Sequence, residues 1–400
     1  MMASAGNAKK ILFIVENLPS PFDRRVWQEA TTLVQNGYEV SIICPTGKGY
    51  EKKYEIIDNI HIYRHSLPLE ADGALGYALE YGAALFWEFY LAFKVLFTRG
   101  FDAIHACNPP DLIFIVGGFF KFFFGKKFLF DHHDINPELY EAKFGRRDFF
   151  YKLMVWCERL TFKTADVSIA TNESYKKIAI ERGGMDPERV HVVRSGPKLD
   201  RLKIIDPVPS LKKGKDFLVG YVGVMGKQEG IDYLLRAAKY IVKDKGREDV
   251  HFGLVGGGTE LEEMQAYAKD LGIENHVSFT GRAPDQDLLE MLNTSDVCIN
   301  PDVANEMNDK STMNKIMEYM ALAKPIVQFD LAEGRFSAQE ASLYANKNDE
   351  KDLGDKILEL LADPVRRKQM GDFGRERVVN ELEWSYEAPK LLAAYGQLFG

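Results

Sequence analysis

The sequence predicts an α/β protein of two Rossmann-like domains, each a parallel sheet covered by helices. Three observations carry that expectation. Short apolar runs bounded by turn residues alternate with longer segments of helical period, the mark of βαβ units. The alternation stops between Ser195 and Lys215, where Pro197, Pro207 and Pro209 stand among several lysines without periodicity, and then starts again. Finally, 400 residues exceed one ordinary core and suit two domains.

The elements follow in order. KKILFIVE reads as the first strand, a helix runs from about Arg25 to Gln35 and closes at Asn36-Gly37, and YEVSIICP is the second strand. IHIYRHS, FDAIHAC, KKFLFDHHD, VSIAT and RVHVVRS continue the sheet, each beside a segment of helical period, so the first domain extends to residue 197. The second, 198–382, repeats the scheme with FLVGYVG, VHFGLVG, HVSFTG, SDVCINP and KPIVQFD. Its helix IDYLLRAAKYIVK aligns Ile231, Leu234, Leu235, Ala238 and Ile241 on one face. Open sheets of this kind bind ligands at the carboxyl ends of their strands, and two such ends facing each other would form a shared cleft.

Composition excludes several classes. With 46% hydrophobic and 28% charged residues the chain is globular. A net charge of −8 argues against a general nucleic-acid binder, which needs a concentrated excess of Lys and Arg. Cys44, Cys107, Cys157 and Cys298 form no C-x-x-C pair, so neither zinc nor a disulfide framework is indicated, and a reducing compartment is expected. MMASAGNAKK has no secretory h-region, which sets the expectation at the cytoplasm. The apolar stretch Leu112–Phe124 is too short for a membrane span. FFKFFFGKKFLF, with Lys121, Lys126 and Lys127, and YGAALFWEFYLAFKVLFTRG before it leave two readings open. One is a peripheral contact with the inner membrane face, the other a buried core that takes most of these phenylalanines.

Candidate chemistry concentrates at strand ends. In KSTMNKIMEYMALAKPIVQFD, Ser311, Thr312 and Asn314 can cap a short helix whose first amides and dipole suit a diphosphate. Glu318, one turn deeper, could accept two ribose hydroxyls, or be a solvated helix glutamate. In GYVGVMGKQEG, Gly223, Gly226 and Gly230 permit close approach of backbone to phosphate, with Lys227 as a counter-charge. Gly256-Gly257-Gly258 reads as a tight turn. DHHDINPE ends an apolar strand and would present His132, His133 and Asp134 at a cleft, where His133 or Asp134 could orient or deprotonate an acceptor hydroxyl; Asp134 could equally cap the turn. PSPFDRR stands where a dinucleotide oxidoreductase carries G-x-G-x-x-G and has no glycine. Arg24 and Arg25 there offer planar donors, of which Arg24 is the candidate ligand.

Taken together, PSPFDRRVWQEA, DHHDINPE, GYVGVMGKQEGIDYLL, FTGRAP and NKIMEYMALAKPIV, in this order, make the chain resemble the retaining glycosyltransferases of family 4, over nearly its whole length. The resemblance implies a GT-B fold, two Rossmann-like domains with parallel sheets facing a central cleft, whose last helix (383–400) returns to the first domain. It implies a nucleotide diphosphate-sugar donor in the second domain, no required metal and no other cofactor, and a carbohydrate or lipid-linked acceptor, often in surface polysaccharide synthesis. On this match Glu318 would bind the ribose and the backbone at Arg282 and Ala283 would lie near the base; with the loop residues Gly223, Lys227, Ser311, Thr312, Met313, Asn314 and Lys315 they make up the expected donor site. Arg24, His105, Asn108, His132 and Glu138 would lie on the acceptor side, and Asp134, His133 and Lys227 would serve the chemistry. Retention implies that a donor phosphate oxygen takes the acceptor proton while the protein stabilises the leaving diphosphate.

The chain departs from the family pattern at three places. Lys310 stands where the first glutamate of a Glu-x7-Glu pair is expected, leaving Asn308, Asp309 or Glu306 as substitutes, or Lys310 itself as a phosphate ligand. Val224 and Glu229 replace an Arg and Lys phosphate pair, for which Lys227 and Lys315 could stand in. Cys107 replaces a histidine, leaving His105. The competing readings are an epimerase or phosphorylase on the same fold, and a nucleotide-sugar binding protein without catalysis.

Overall fold

The computed structural model of the chain describes residues 8–66, 73–109 and 111–400. Residues 1–7, on which the expectation about a leader partly rests, lie outside them. The chain forms two compact units, Met1–Arg194 with Glu387–Gly400, and Ser195–Tyr386.

The first unit is an eight-stranded sheet. Its strands are β1 (Lys10–Ile14), β2 (Glu39–Pro45), β3 (Tyr54–Ile57), β4 (Ile60–His65), β5 (Ala103–Cys107), β6 (Lys127–His132), β7 (Val167–Ala170) and β8 (Val190–Val192), in the order β3-β4-β2-β1-β5-β6-β7-β8. The helices are α1 (Arg24–Gln35), α2 (Gly73–Thr98), α3 (Phe114–Phe124), α4 (Asn136–Phe144), α5 (Phe149–Thr164) and α6 (Glu173–Glu181). In the central β1, Leu12 pairs in parallel register with Ser41 on one side and Ile104 on the other. Strands with helices on both faces read as continuous apolar runs, as ILFI and IHAC do. The Asp23 carboxylate starts α1 by accepting the Val26 amide at 3.1 Å.

Two features differ from expectation. The antiparallel strand β3 was not foreseen; Asp58 and Asn59 join it to β4 with φ of 50° and 63°, the two-residue turn whose twist suits a hairpin. Of the phenylalanines in FFKFFFGKKFLF, Phe120, Phe128 and Phe130 are fully buried, while Phe122, Phe123 and Phe124 are exposed, so the core takes only part of them. Successive helical residues point about 100° apart, so adjacent phenylalanines in one turn cannot share a buried face.

The second unit is wholly parallel, with order β11-β10-β9-β12-β13-β14. Its elements are β9 (Phe217–Val222), α7 (Ile231–Lys239), β10 (Val250–Val255), α8 (Leu261–Asp270), β11 (Val277–Phe279), α9 (Asp285–Thr294), β12 (Val297–Asn300), α10 (Glu306–Lys310), α11 (Asn314–Ala321), β13 (Ile326–Phe329), α12 (Ala332–Ala338), β14 (Ser342–Ala345), α13 (Glu350–Ala362) and α14 (Pro364–Arg377). Ile231, Leu234, Leu235, Ala238 and Ile241 all enter the core, as their spacing predicts. Edge strand β14 is an addition to the five anticipated. The aperiodic segment 195–215 is anchored to this unit: Leu202 is fully buried with Leu218 and Leu292, and the Ile205 amide donates to Asn293 Oδ1 at 3.2 Å. The last helix, α15 (Trp384–Phe399), begins in the second unit and continues in the first, where Tyr395 is fully buried.

Candidate active site

In the first unit the candidate residues gather where β6 ends. Arg25, the second residue of α1, is buried and forms a bidentate pair with Asp131, Nη2 at 2.8 Å from Oδ1 and Nε at 3.1 Å from Oδ2. Its Nη1 donates to Val193 O at 2.7 Å, and Glu29, one turn along α1, lies 3.2 Å from Nη2. His133 Nε2 meets the same Asp131 carboxylate and stands 2.9 Å from Arg25 Nε. Since guanidinium only donates, the Asp131 carboxylate is the acceptor at the centre of the cluster, met by both the guanidinium and the imidazole. Burial pushes the Asp131 carboxyl up, but Arg25 and His133 outweigh it and hold it well below the usual range. Burial drives the Glu29 carboxyl well above its usual value, against Arg25.

Asn108 fixes the loop after the strand. Its carbonyl oxygen accepts the amides of His133 (2.7 Å) and Asp134 (3.1 Å), and its amide group donates to Asp134 O at 2.6 Å and Asp111 Oδ1 at 3.0 Å. Asn108 is therefore a clamp on the His133–Asp134 turn. Burial raises the Asp134 carboxyl, against the two neighbouring histidines.

Several acceptor-side expectations are corrected. His132 does not emerge from the strand: it is fully buried against Phe162 and Tyr175, with Nε2 3.5 Å from Glu158. Alternation along the strand sends neighbours to opposite faces, so His132 and His133 cannot both reach one cleft. His105 is also internal, stacked on Phe13 with Nδ1 2.8 Å from the Tyr395 hydroxyl, and burial lowers its pKa. Glu138 is buried beneath Arg182, 2.6 Å from Nη1. Arg24 is exposed, which leaves its expected role open, and the contact with Asp131 is made by its neighbour Arg25. The i,i+4 spacing of Arg25 and Glu29 was a signal for that pair; the partner Asp131, 106 residues away, had none.

Among the described residues, two groups bring possible metal-ligand atoms within 4.8 Å of one another: His105, Cys107 and Asp131, and Glu29, Asp131 and His133. Arg25 already occupies Asp131 in both, and burial keeps Cys107 a thiol by raising its pKa well above the usual value. The donor set fits an ion pair better than a cation.

In the second unit three turns meet at the carboxyl ends of β9, β10 and β11. The Met225 amide donates to Gly257 O at 3.0 Å and the Gly256 amide to Gly281 O at 2.9 Å, which puts the Gly223 loop beside Arg282 and Ala283. A β-carbon on Gly256, whose φ is 141°, would stand 1.8 Å from Gly223 O; the triple glycine thus serves backbone contact as well as the turn. Lys227 lies on one 3₁₀ turn, Lys227–Glu229, with its side chain exposed.

Helix α11 is pinned beneath these turns by Tyr319, whose hydroxyl receives the Val222 amide at 2.9 Å and donates to Ile299 O at 3.1 Å. Its cap differs from expectation. Met313 is the N-cap residue and makes no side-chain cap hydrogen bond, while Ser311 Oγ donates back to Met307 O at 2.7 Å. Lys315 was expected beside a diphosphate. Instead its Nζ is buried between Glu229 Oε2 (2.6 Å) and Asp302 Oδ1 (2.7 Å), over the Tyr221 ring. Burial would lower the Lys315 pKa, but Asp302, Tyr221 and Glu229 raise it well above the usual value. Asp302 is pushed up to about 7 by burial and by Glu229, against Lys315. Glu229, which burial would raise, is held below its usual value by Lys315. The carboxylate at position 229 thus has a defined role as a Lys315 partner.

Glu318 is partly buried and is gripped by the Arg201 guanidinium, which also approaches Asp285 at 3.6 Å. Arg201 lies in the aperiodic segment and was not foreseen. Thr312 and Asn314 flank Met313 at the mouth of the same helix. Of the substitutes for the absent glutamate, Asn308 bonds Gln228 O and Val303 O, and Asp309 binds the Ala332 amide and Lys347. Lys310 pairs with Glu306 at 2.5 Å.

Comparison with known proteins gives a consistent result. A family model described as Glycosyltransferase Family 4 matches residues 23–201, and one described as Glycosyl transferases group 1 matches 216–363. The chain is 26% identical over 272 residues to an alpha-maltose-1-phosphate synthase of Mycolicibacterium smegmatis, covering 61% of this chain and 66% of that protein. It spans no more than two thirds of the length of the curated relatives compared. In structure it resembles the sucrose-phosphate synthase of Thermosynechococcus elongatus, with TM-score 0.79, 19% identity, 98% of this chain and 99% of that one. It also resembles Anabaena HepE solved with UDP-glucose, with TM-score 0.72, 15% identity, 97% of this chain and 99% of that one. These likenesses establish a GT-B fold.

Proposed function

We propose that this chain, which belongs to the group 1 and family 4 glycosyltransferases, moves a sugar from a nucleotide diphosphate donor to an acceptor hydroxyl. The second unit holds the donor and the first unit the acceptor. The observation that carries this reading is the meeting of the Gly223 loop, the Arg282–Ala283 backbone and the first turn of α11 at one edge of the second sheet, with Glu318 one turn further along. The amides and dipole of a helix start suit a diphosphate and are already oriented when charge develops on the leaving group. Lys227, exposed in the adjoining turn, supplies the mobile positive charge, since Lys315 is committed to two carboxylates. That Anabaena HepE was solved with UDP-glucose supports a nucleotide-sugar donor here.

In the first unit, His133 and Asp134, fixed by Asn108 and Arg25, orient the acceptor hydroxyl. Transfer proceeds with retention and without a metal, the donor phosphate oxygen receiving the acceptor proton. Arg201 already holds Glu318 Oε1, so ribose hydroxyls share that carboxylate with Arg201 or compete for it. The site of action is the cytoplasm, on acceptors of surface polysaccharide or glycolipid assembly. Among the described residues no helix is long and apolar enough to cross a membrane.

A second reading, a nucleotide-sugar binding protein without turnover, is favoured by Lys310 and by the neutralised Lys315. Thermal-shift titration with UDP, GDP, ADP and TDP tests the donor site. One nucleotide should stabilise the chain, with apparent affinity falling about tenfold in Glu318→Ala and less in Lys227→Ala. No shift with any nucleotide defeats both readings. Binding without acceptor-dependent release of nucleoside diphosphate, across a broad acceptor panel, selects the second.

A further inference from the structure

Helix α2 is apolar on two opposite sides. Ala84, Glu88, Leu91 and Val95 are buried on its inner side. Ala83, Phe86, Tyr90, Phe93 and Phe97 form the outer side, where Phe86, Tyr90 and Phe97 are 63%, 53% and 77% exposed and Ala83 and Phe93 are half-buried. These positions are separated by three, four, three and four residues, the spacing with which one helix meets another along a seam. Their rings are stacked along it, Phe86 on Tyr90 at 6.4 Å and Phe93 on Phe97 at 6.1 Å. Helix α3 widens the surface: Phe119 lies 5.8 Å from Phe93 and 4.8 Å from Phe123, and Phe122 and Phe123 are 82% and 65% exposed. Between residues 82 and 97 the only charged side chains are Glu88, which is buried, and Lys94, whose Nζ lies 5.7 Å from the Tyr63 ring. A helix that is apolar all round belongs in an interior, so the outer side calls for a cover.

We propose that this face pairs with the same face of a second copy of the chain, α2 against α2 in antiparallel orientation about a two-fold axis at Tyr90. The seam is self-complementary. Ala83 and Phe97 stand equally far from Tyr90, so an axis there sets the most exposed ring of each seam over the smallest residue of the other, and Phe86 opposite Phe93. The area also suffices. At about 200 Å² per aromatic side chain, the five rings that are more than half exposed offer on the order of 700 Å² per copy, and two copies together exceed the roughly 1,000 Å² a stable interface needs. An anionic bilayer would instead be met by cations among the rings, whereas Lys94 leans onto Tyr63 and Lys121 is tied to Asp166 and Thr164 O. On its inner side α2 sets Glu88 beside Glu16, just past the end of β1, so pairing braces an element that borders the strand ends. The pairing rests on the fold and not on the glycosyl-transfer reading.

The test is sedimentation velocity of the full chain without nucleotide, which should show a dimer that dissociates on dilution. Phe86→Ser with Phe97→Ser removes two rings from each copy and should raise the dissociation constant at least about 100-fold. Unchanged far-UV circular dichroism and a cooperative thermal transition establish that the variant folds. Orientation is read by cysteine cross-linking, since Cys44, Cys107, Cys157 and Cys298 are all buried. Under mild oxidation Tyr90→Cys should link to itself across the axis, whereas Ala83→Cys should link only when mixed with Phe97→Cys. The proposal is overturned if the parent is a monomer at every concentration, if the folded double variant dimerises like the parent, or if Ala83→Cys links to itself as readily as Tyr90→Cys. It is overturned equally if the parent, as a monomer, floats with lipid vesicles and the double variant does not. Because nucleotide is absent, failure here and failure of the donor site are read independently.

Discussion

Each unit buries one cation between two carboxylates at the carboxyl edge of its sheet, and the two clusters do different work. In the first, Arg25 holds Asp131 and Glu29, bonds a main-chain carbonyl and touches His133. In the second, Lys315 holds Glu229 and Asp302, with its Nζ over the Tyr221 ring. A guanidinium is planar and always charged, so it can organise several elements at once, whereas an ammonium acts as a compact point charge. Arg25 therefore builds the strand-end platform on which His133 sits, and Lys315 mainly balances charge under a glycine loop. In both, one carboxyl is driven up and its neighbour down.

If that distinction is right, Arg25→Ala carries the largest effect. It leaves Asp131 buried without its main partner and unties Val193, which should cost about 3–5 kcal/mol of unfolding free energy in urea titrations. Hydrogen exchange should show the opening at the ends of β6 and β8. A loss under about 1 kcal/mol would erase the contrast with Lys315. Lys315→Met should cost less, about 2–3 kcal/mol, because Asp302 already stands near protonation at neutral pH and can take up a proton. Equal losses in the two variants would mean that Lys315 is as architectural as Arg25.

The smallest effect is a pH slope. Asp302 binds its proton more tightly folded than unfolded, since its pKa is raised from 3.8 to about 7. Between those values the folded chain carries more protons, so this group's stabilising contribution is complete below about 4 and is lost as pH rises through about 7. Asp302→Asn should flatten the dependence of the urea midpoint over that window relative to the parent. An identical slope in both would show that Lys315 keeps Asp302 ionised throughout.

The sheets were legible because buried parallel strands write themselves as apolar runs between turns, and KILFI, FLVGYV and VHFGLV carry that pattern without interruption. The short strands β3 and β14 were not, since four residues at an edge bury too little to produce a pattern, although Asp58-Asn59 between alternating residues was a usable hairpin signal. At the sites, glycines and the α11 helix start could be located from turn chemistry. Pairings such as Arg25 with Asp131, Lys315 with Glu229 and Arg201 with Glu318 span 106, 86 and 117 residues, and no local rule selects them. The residue type at 229 looked like a lost phosphate ligand until its partner was seen.

Edge hairpin β3 also bears on how the molecule behaves at high concentration. An eight-stranded sheet with open edges offers unpaired main-chain groups to any passing strand. Here one edge ends in four residues, preceded by Lys52 and Lys53, and the other in the three residues of β8. Both are too short to template another chain, so growth by strand addition is blocked at each side. Self-association of this unit, where it occurs, would proceed through its helical surface, and mild detergent should reverse it.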